Sequence, residues 1–155
     1  MSNLLSRYAD ATFWMARQVE RSEDLARILD VNESFRRDSR GAQNWHSILK
    51  LFSDEENFFE RHNEVSPEGV VDFYVLDPEH SGSIISTIHA ARENARQLRP
   101  LIWTEMWQQL NMFYGKLKSI PRESLTEHSL NRICTFIKEA CQNHAGITEG
   151  TFYRD

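Results

Sequence analysis

From Asn3 to Val31 apolar side chains return every three or four positions, at Leu4, Tyr8, Ala11, Met15, Val19, Ala26 and Leu29. That spacing lines one face of an α-helix and predicts a single long one. Asn32 to Ala42 is polar and contains Gly41, so it reads as a short helix or a loop. A second helix is expected from about Gln43 to His62, with Trp45, Ile48, Leu49, Phe52 and Phe59 on one side. Ser66-Pro67-Glu68 supplies an N-cap and a proline for the first turn. It should open a short apolar helix over Val70–Leu76 that stops at Asp77-Pro78. Local preference alone would also allow a strand there. A lone strand would lack a partner, so helix is favoured.

Glu79 to Gly82 reads as a turn, and Ser83 as the cap of a helix whose inner stripe is Ile84, Ile85, Ile88, Ala91, Ala95 and Leu98. Pro100 either kinks that helix or begins the next. Ile102, Met106, Leu110, Phe113 and Leu117 carry the period on to about Ser119. A last helix begins at Thr126-Glu127, turns Leu130, Ile133, Ile137 and Cys141 inward, and ends before Gly146. Gly146 to Asp155 reads as a connection into another element. The fold class is therefore all-α, a helical bundle of about five to seven helices.

Composition narrows the setting. With 155 residues, 40% hydrophobic and 26% charged, the chain fits one domain, 1–155, with a sizeable core. A net charge of −5 argues against nucleic acid and anionic membranes as partners. The basic cluster Arg36, Arg37 and Arg40 is diluted by Glu33 and Asp38. No apolar run approaches the roughly 20 residues of a membrane span, and the start lacks a signal peptide's basic and apolar regions. A cytoplasmic setting is expected. Cys134 and Cys141 lie roughly 10 Å apart along one helix, too far for a mutual disulfide. They are expected to be buried thiols.

The polar side of the first helix carries the chemistry. Arg7, Asp10, Trp14, Arg17, Arg21 and Asp24 fall on one stripe, with Glu20 at its edge. Arginine's planar fork suits carboxylate or phosphate, so Arg17, Glu20 and Arg21 could hold an anion with Glu20 as acid or base. The plainer reading is a salt-bridge network or a solvated face, because surface ion pairs are common and individually weak. Arg92, Glu93, Arg96 and Arg99 form a second cluster, with His89 one turn before Glu93. His89–Glu93 is an acid/base candidate or an ordinary helix-surface pair. Glu105 and Trp107 follow on the same helical region. Side-by-side packing of the first and central helices would bring Arg17, Glu20, Arg92, Glu93 and Glu105 into one cleft.

Other chemistries lack a pattern. His46, His62, His80, His89, His128 and His144 are scattered without metal-ligand spacing, so no metal is expected. There is no P-loop and no Gly-x-Ser-x-Gly elbow, and neither cysteine has a histidine partner in the sequence. No cofactor is expected.

Several blocks resemble one family. Leu4-Leu-Ser-Arg-Tyr-Ala-Asp10, Trp14-Met-Ala-Arg-Gln-Val-Glu-Arg21 and Ala26-Arg27 resemble the opening of bacterial alpha-E domain proteins. Ser83-Ile84, Ala90-Ala-Arg-Glu-Asn-Ala-Arg96 and Glu105-Met-Trp107 resemble its central segment, and His144 to Asp155 its mid-domain connector. The resemblance implies an all-helical protein about twice this long, of which this chain would be the N-terminal half, incomplete at its C-terminus. It also implies gene neighbours encoding ATP-grasp-type amide ligases and transglutaminase-like proteins. The leading expectation is an accessory helical module acting with such proteins in peptide or amide metabolism. One alternative is a catalytic domain in which Glu20 and Glu93 act, while Arg7, Trp14, Arg17, Arg21, Arg92, Arg96 and Glu105 bind an anionic substrate. Another is a helical oligomerisation module forming homo-oligomers.

Overall fold

In the computed structural model, residues 2–38, 43–102 and 104–152 are described, and they form seven α-helices, one short 3₁₀ turn and no strand. Four helices are long: α1 (Ser2–Asp38), α5 (Ile84–Gln97), α6 (Thr104–Ser119) and α7 (Glu127–Phe152). Three short ones lie between α1 and α5: α2 (Gln43–Leu51), α3 (Glu55–Phe59) and α4 (Pro67–Val75). The all-α expectation holds.

The long helices pack α1 on α5, α5 on α6, α6 on α7 and α7 on α1, closing a four-membered ring. Side-chain pairs give each neighbour the opposite direction. Gln18 on α1 accepts from Asn94 on α5, while Ser22 and Leu25 share a cleft with Thr87. Asp30 accepts from Asn131 and Lys138 on α7, and Glu20 lies by His144. Arg92 donates to Asn111 while His89 meets Tyr114, and Phe113 meets Phe136 while Gln109 donates to Ala140 O, so α6 is antiparallel to both α5 and α7.

The expected stripes form the core. Ala11, Met15, Val19, Ala26 and Leu29 of α1 are buried against Ile84, Ile88, Ala91, Ala95 and Leu98, and against Leu130, Ile133, Ile137 and Cys141. On α5 the expected Ile85 is only partly buried, and on α1 two expected members depart. Leu4 is exposed and Tyr8 only half-buried, because the buried arc of α1 tightens toward its N-terminus. Cys134 and Cys141 are buried free thiols, and burial pushes each up to about 12.

Three boundaries differ from expectation. Helix α1 continues through the polar stretch to Asp38, holding Glu33 buried on its inner side. Residues 39–42 lie outside the described set, as do the side chains of Arg36, Arg37 and Arg40. The expected helix over Gln43–His62 is two helices. Ser53 adopts a left-handed φ of 56°, Asp54 N–H donates to Leu49 O at 2.9 Å and Ser53 N–H to Lys50 O at 3.1 Å. This is a Schellman ending with serine where glycine is usual. The break turns Phe58 into the core and leaves Phe52 and Phe59 at the surface. Lastly, α7 runs through Gly146 to Phe152 instead of ending before Gly146. Each helical glycine costs about 1 kcal/mol, but His144 is buried and Ile147 packs on the core, so the final turns are held by α1.

Two starts follow the sequence closely. Ser66 accepts from Gly69 N–H at 3.0 Å, with Pro67 opening α4. Ser83 accepts from Ser86 N–H at 3.2 Å at the head of α5.

Candidate functional site

The polar stripe of α1 lies on the side away from its buried arc, so Arg7, Asp10, Trp14, Arg17, Glu20, Arg21 and Asp24 are exposed. Arg17 and Glu20 form an ion pair at 3.6 Å with more than half of each side chain in water. Phe13 and Trp14 meet edge to face, ring centroids 5.2 Å apart, with relative exposures of 56% and 51%. Two large aromatics therefore stand in solvent between Asp10 and Arg17.

The second cluster is organised by Trp107 of α6. Arg92, Arg96 and Arg99 place their guanidinium carbons 5.5, 5.9 and 5.1 Å from the indole centroid. Glu93 is approached by Arg92 at 3.2 Å, Arg96 at 3.4 Å and His89 at 3.9 Å. Three arginines around one indole and one carboxylate leave a cationic patch.

The two clusters are not brought together. Among the described residues no ion pair or hydrogen bond links Arg17, Glu20 or Arg21 to Arg92, Glu93, Arg96 or Glu105; the polar tie from α1 to α5 is Gln18–Asn94. Glu105 faces α7, in a groove with Gln109, Phe136 and Ile147. The shared cleft expected from sequence does not form, since α1 and α5 meet through their apolar arcs.

Adjacent residues on α1 enter different grooves. Glu20 borders an α1/α7 groove of about 360 Å³ with Glu23, His144 and Glu149. The His144 ring is buried, neither nitrogen has a hydrogen-bond partner among the described residues, and burial lowers it to about 4.

Arg21 borders a different cleft, of about 560 Å³, between α1, the α2–α3 break and the α4–α5 turn. The Schellman ending places Asp54 there, and α4 places Tyr74, whose hydroxyl donates to Asp54 Oδ2 at 2.8 Å. His80 lies beside them, stacked on Phe73 at 3.9 Å, with Nδ1 3.3 Å from the Asn57 amide and Nε2 3.8 Å from Asp54 Oδ2. A side chain at Gly82 would begin 3.1 Å from this imidazole, so glycine lets the turn close over the ring. Burial lowers the His80 basicity, partly opposed by Asp54 and Asp77; burial and the Asp54 bond raise Tyr74.

Behind His80 a buried knot fixes the turn. Burial alone would raise the Asp77 carboxyl, but Arg61 at 2.7 Å and the Glu79 N–H at 2.9 Å hold it below its ordinary value. Ser83 donates to Asp77 O at 2.7 Å, and Arg61 also reaches Glu79 at 3.0 Å. Sequence reading missed Asp54, Arg61, Tyr74, Asp77 and His80 as a group. Asp77-Pro78 stood out only as a helix stop, and nothing local signals that four segments converge on it. Among the described residues no group of three His, Cys, Asp or Glu side chains is placed to hold a metal. No described helix is long and apolar enough to cross a membrane.

An antiparallel ring of four long helices with charged outer faces defines an all-α domain. Residues 4–155 match the family model Alpha-E, described as a predicted alpha-helical domain with a conserved ER motif, and the chain belongs to that family. The chain carries Glu-Arg twice, at Glu20-Arg21 and Glu60-Arg61. No curated protein and no solved structure gives a significant match.

Proposed function

We propose that this Alpha-E chain is an accessory helical module that docks a protein partner on the outer face of α1. Its partners would be an ATP-grasp-type amide ligase and a transglutaminase-like protein, acting in the cytoplasm in peptide or amide metabolism. The resemblance of the opening and central blocks supplies those partner classes. One observation carries the docking: Phe13 and Trp14 hold each other edge to face in solvent, flanked by Arg17. Tryptophan and arginine dominate protein–protein hot spots because they bury large area and bond through the same side chain.

Calorimetric titration of the purified chain with each purified partner tests this. Wild type should bind at least one of them, and Trp14→Ala should weaken binding by about 30-fold, the scale of a 2 kcal/mol hot spot. The melting temperature should hardly change, since Trp14 is outside the core. Absence of wild-type binding across salt concentrations would reject the module. Self-association seen by light scattering and abolished by Trp14→Ala would assign the face to a second copy instead.

The patch around Trp107 favours a second reading, in which Arg92 and Arg96 hold an anionic substrate and Glu93, which both arginines approach, transfers protons. Glu93→Gln should then abolish product formation in the reconstituted pathway with the fold intact. Unchanged product would dismiss Glu93 as the acid/base.

A further inference from the structure

Asp54 is a carboxylate with a side chain only 21% exposed, and among the described residues no lysine or arginine pairs with it. A charge so withdrawn from water calls for a counter-charge or several hydrogen bonds. Its neighbours supply neutral groups only: the Tyr74 hydroxyl on Oδ2, and the His80 imidazole, which burial keeps from ionising readily. His80 Nε2 and Ser22 Oγ are both buried, line this cleft and lack hydrogen-bond partners among the described residues. The inner end of the cleft therefore gathers one unbalanced negative charge and two unsatisfied polar atoms. Outward, Leu25, Ile28 and Phe52 make an apolar wall, and Arg21 stands exposed at the rim.

We propose that this cleft binds a small primary amine, its ammonium seated between the Asp54 carboxylate and His80 Nε2 and its alkyl body against Phe52, Leu25 and Ile28. An ammonium brings three donors and the missing positive charge. A half-turn of the Asn57 amide presents its oxygen to Nδ1–H, which leaves Nε2 as the lone-pair acceptor. Ser22 Oγ can take a further N–H. An amine that also carries a carboxylate finds Arg21 at the mouth, where a guanidinium fork fits it. This site is separate from the outer face of α1, so its failure would leave the docking proposal standing.

Calorimetry and NMR with n-butylamine, n-butanol, butyrate and 4-aminobutyrate at constant ionic strength test the assignment. Saturable binding of n-butylamine is expected, with n-butanol and butyrate weaker by about tenfold or more, the scale of one charge-assisted hydrogen bond. Asp54→Asn keeps the shape and can still accept from Tyr74, so it should fold as wild type and lose about tenfold for n-butylamine. Arg21→Ala should leave n-butylamine unaffected while weakening 4-aminobutyrate. Leu25→Trp, which fills the apolar wall, should abolish both, and it serves as the second variant should Asp54→Asn melt early. Butyrate binding as well as n-butylamine would overturn the proposal. So would wild type that ignores n-butylamine, or Asp54→Asn and Leu25→Trp that bind it undiminished.

Discussion

His144→Leu is expected to stabilise the protein at neutral pH by about 1–3 kcal/mol, and by more in mild acid. The ring is 2% exposed and neither nitrogen has a partner among the described residues. An unsatisfied buried polar atom costs roughly 1–3 kcal/mol, and leucine of similar size removes both. The acid effect follows from proton linkage. Burial lowers the folded His144 from 6.5 to about 4. Between those values the unfolded chain binds a proton that the folded chain refuses, so this contribution to stability is complete above pH 6.5 and drains away as pH falls toward 4. At about 1.36 kcal/mol per unit the loss is roughly 3 kcal/mol. The leucine variant should therefore show a flatter stability profile over that window. Urea denaturation at several pH values would measure it. A wild-type profile already flat from pH 7 to 4.5 would mean that His144 protonates in the folded state as readily as in the unfolded chain.

Arg61→Met is the most damaging single change expected in the buried knot. It leaves the Asp77 carboxylate, 2% exposed, without its counter-charge, and breaking a buried pair from that side costs about 3–5 kcal/mol. Asp77→Asn should cost less, about 1–2 kcal/mol, because the stranded group is then a guanidinium 31% exposed that still reaches Glu79 at 3.0 Å. The double variant should recover part of the loss. The sign of the pH effect separates charge from packing. The Asp77 carboxyl is held below its ordinary value, so its stabilisation is present above the unfolded carboxylate pKa and disappears as pH falls through the lowered folded one. Wild type should lose stability on that acid limb, whereas Arg61→Met should have little of it left to lose. An acid limb kept in full by Arg61→Met would show that the guanidinium is not what holds the Asp77 carboxyl down.

The parts of the fold legible in sequence are those set by local rules. Ser66-Pro67 and Ser83 announce helix starts because their side chains bond amides three residues on, and the stripes of α5 and α6 repeat without interruption. Where tertiary packing decides, the sequence is mute. Ser53 takes a left-handed turn without glycine to advertise it. Gly146 sits mid-helix because its own side of α7 is exposed while His144 and Ile147 dock. The charged stripe of α1 was identifiable as a stripe, but which helix would lie beyond it was not. Asp54, Tyr74 and His80 come from separate segments, and no spacing rule joins a helix-break aspartate to a turn histidine.

Successive helical side chains diverge by about 100°, and on α1 that divergence splits one dipeptide between two compartments. Glu20 looks toward the His144 side and Arg21 toward the Asp54 side. Glu-Arg at this spot is therefore a partition: the helix backbone works as a wall, giving an anion to one room and a cation to the next. Written in reverse, the same two letters would keep the composition and the overall charge while moving two units of charge from one room to the other.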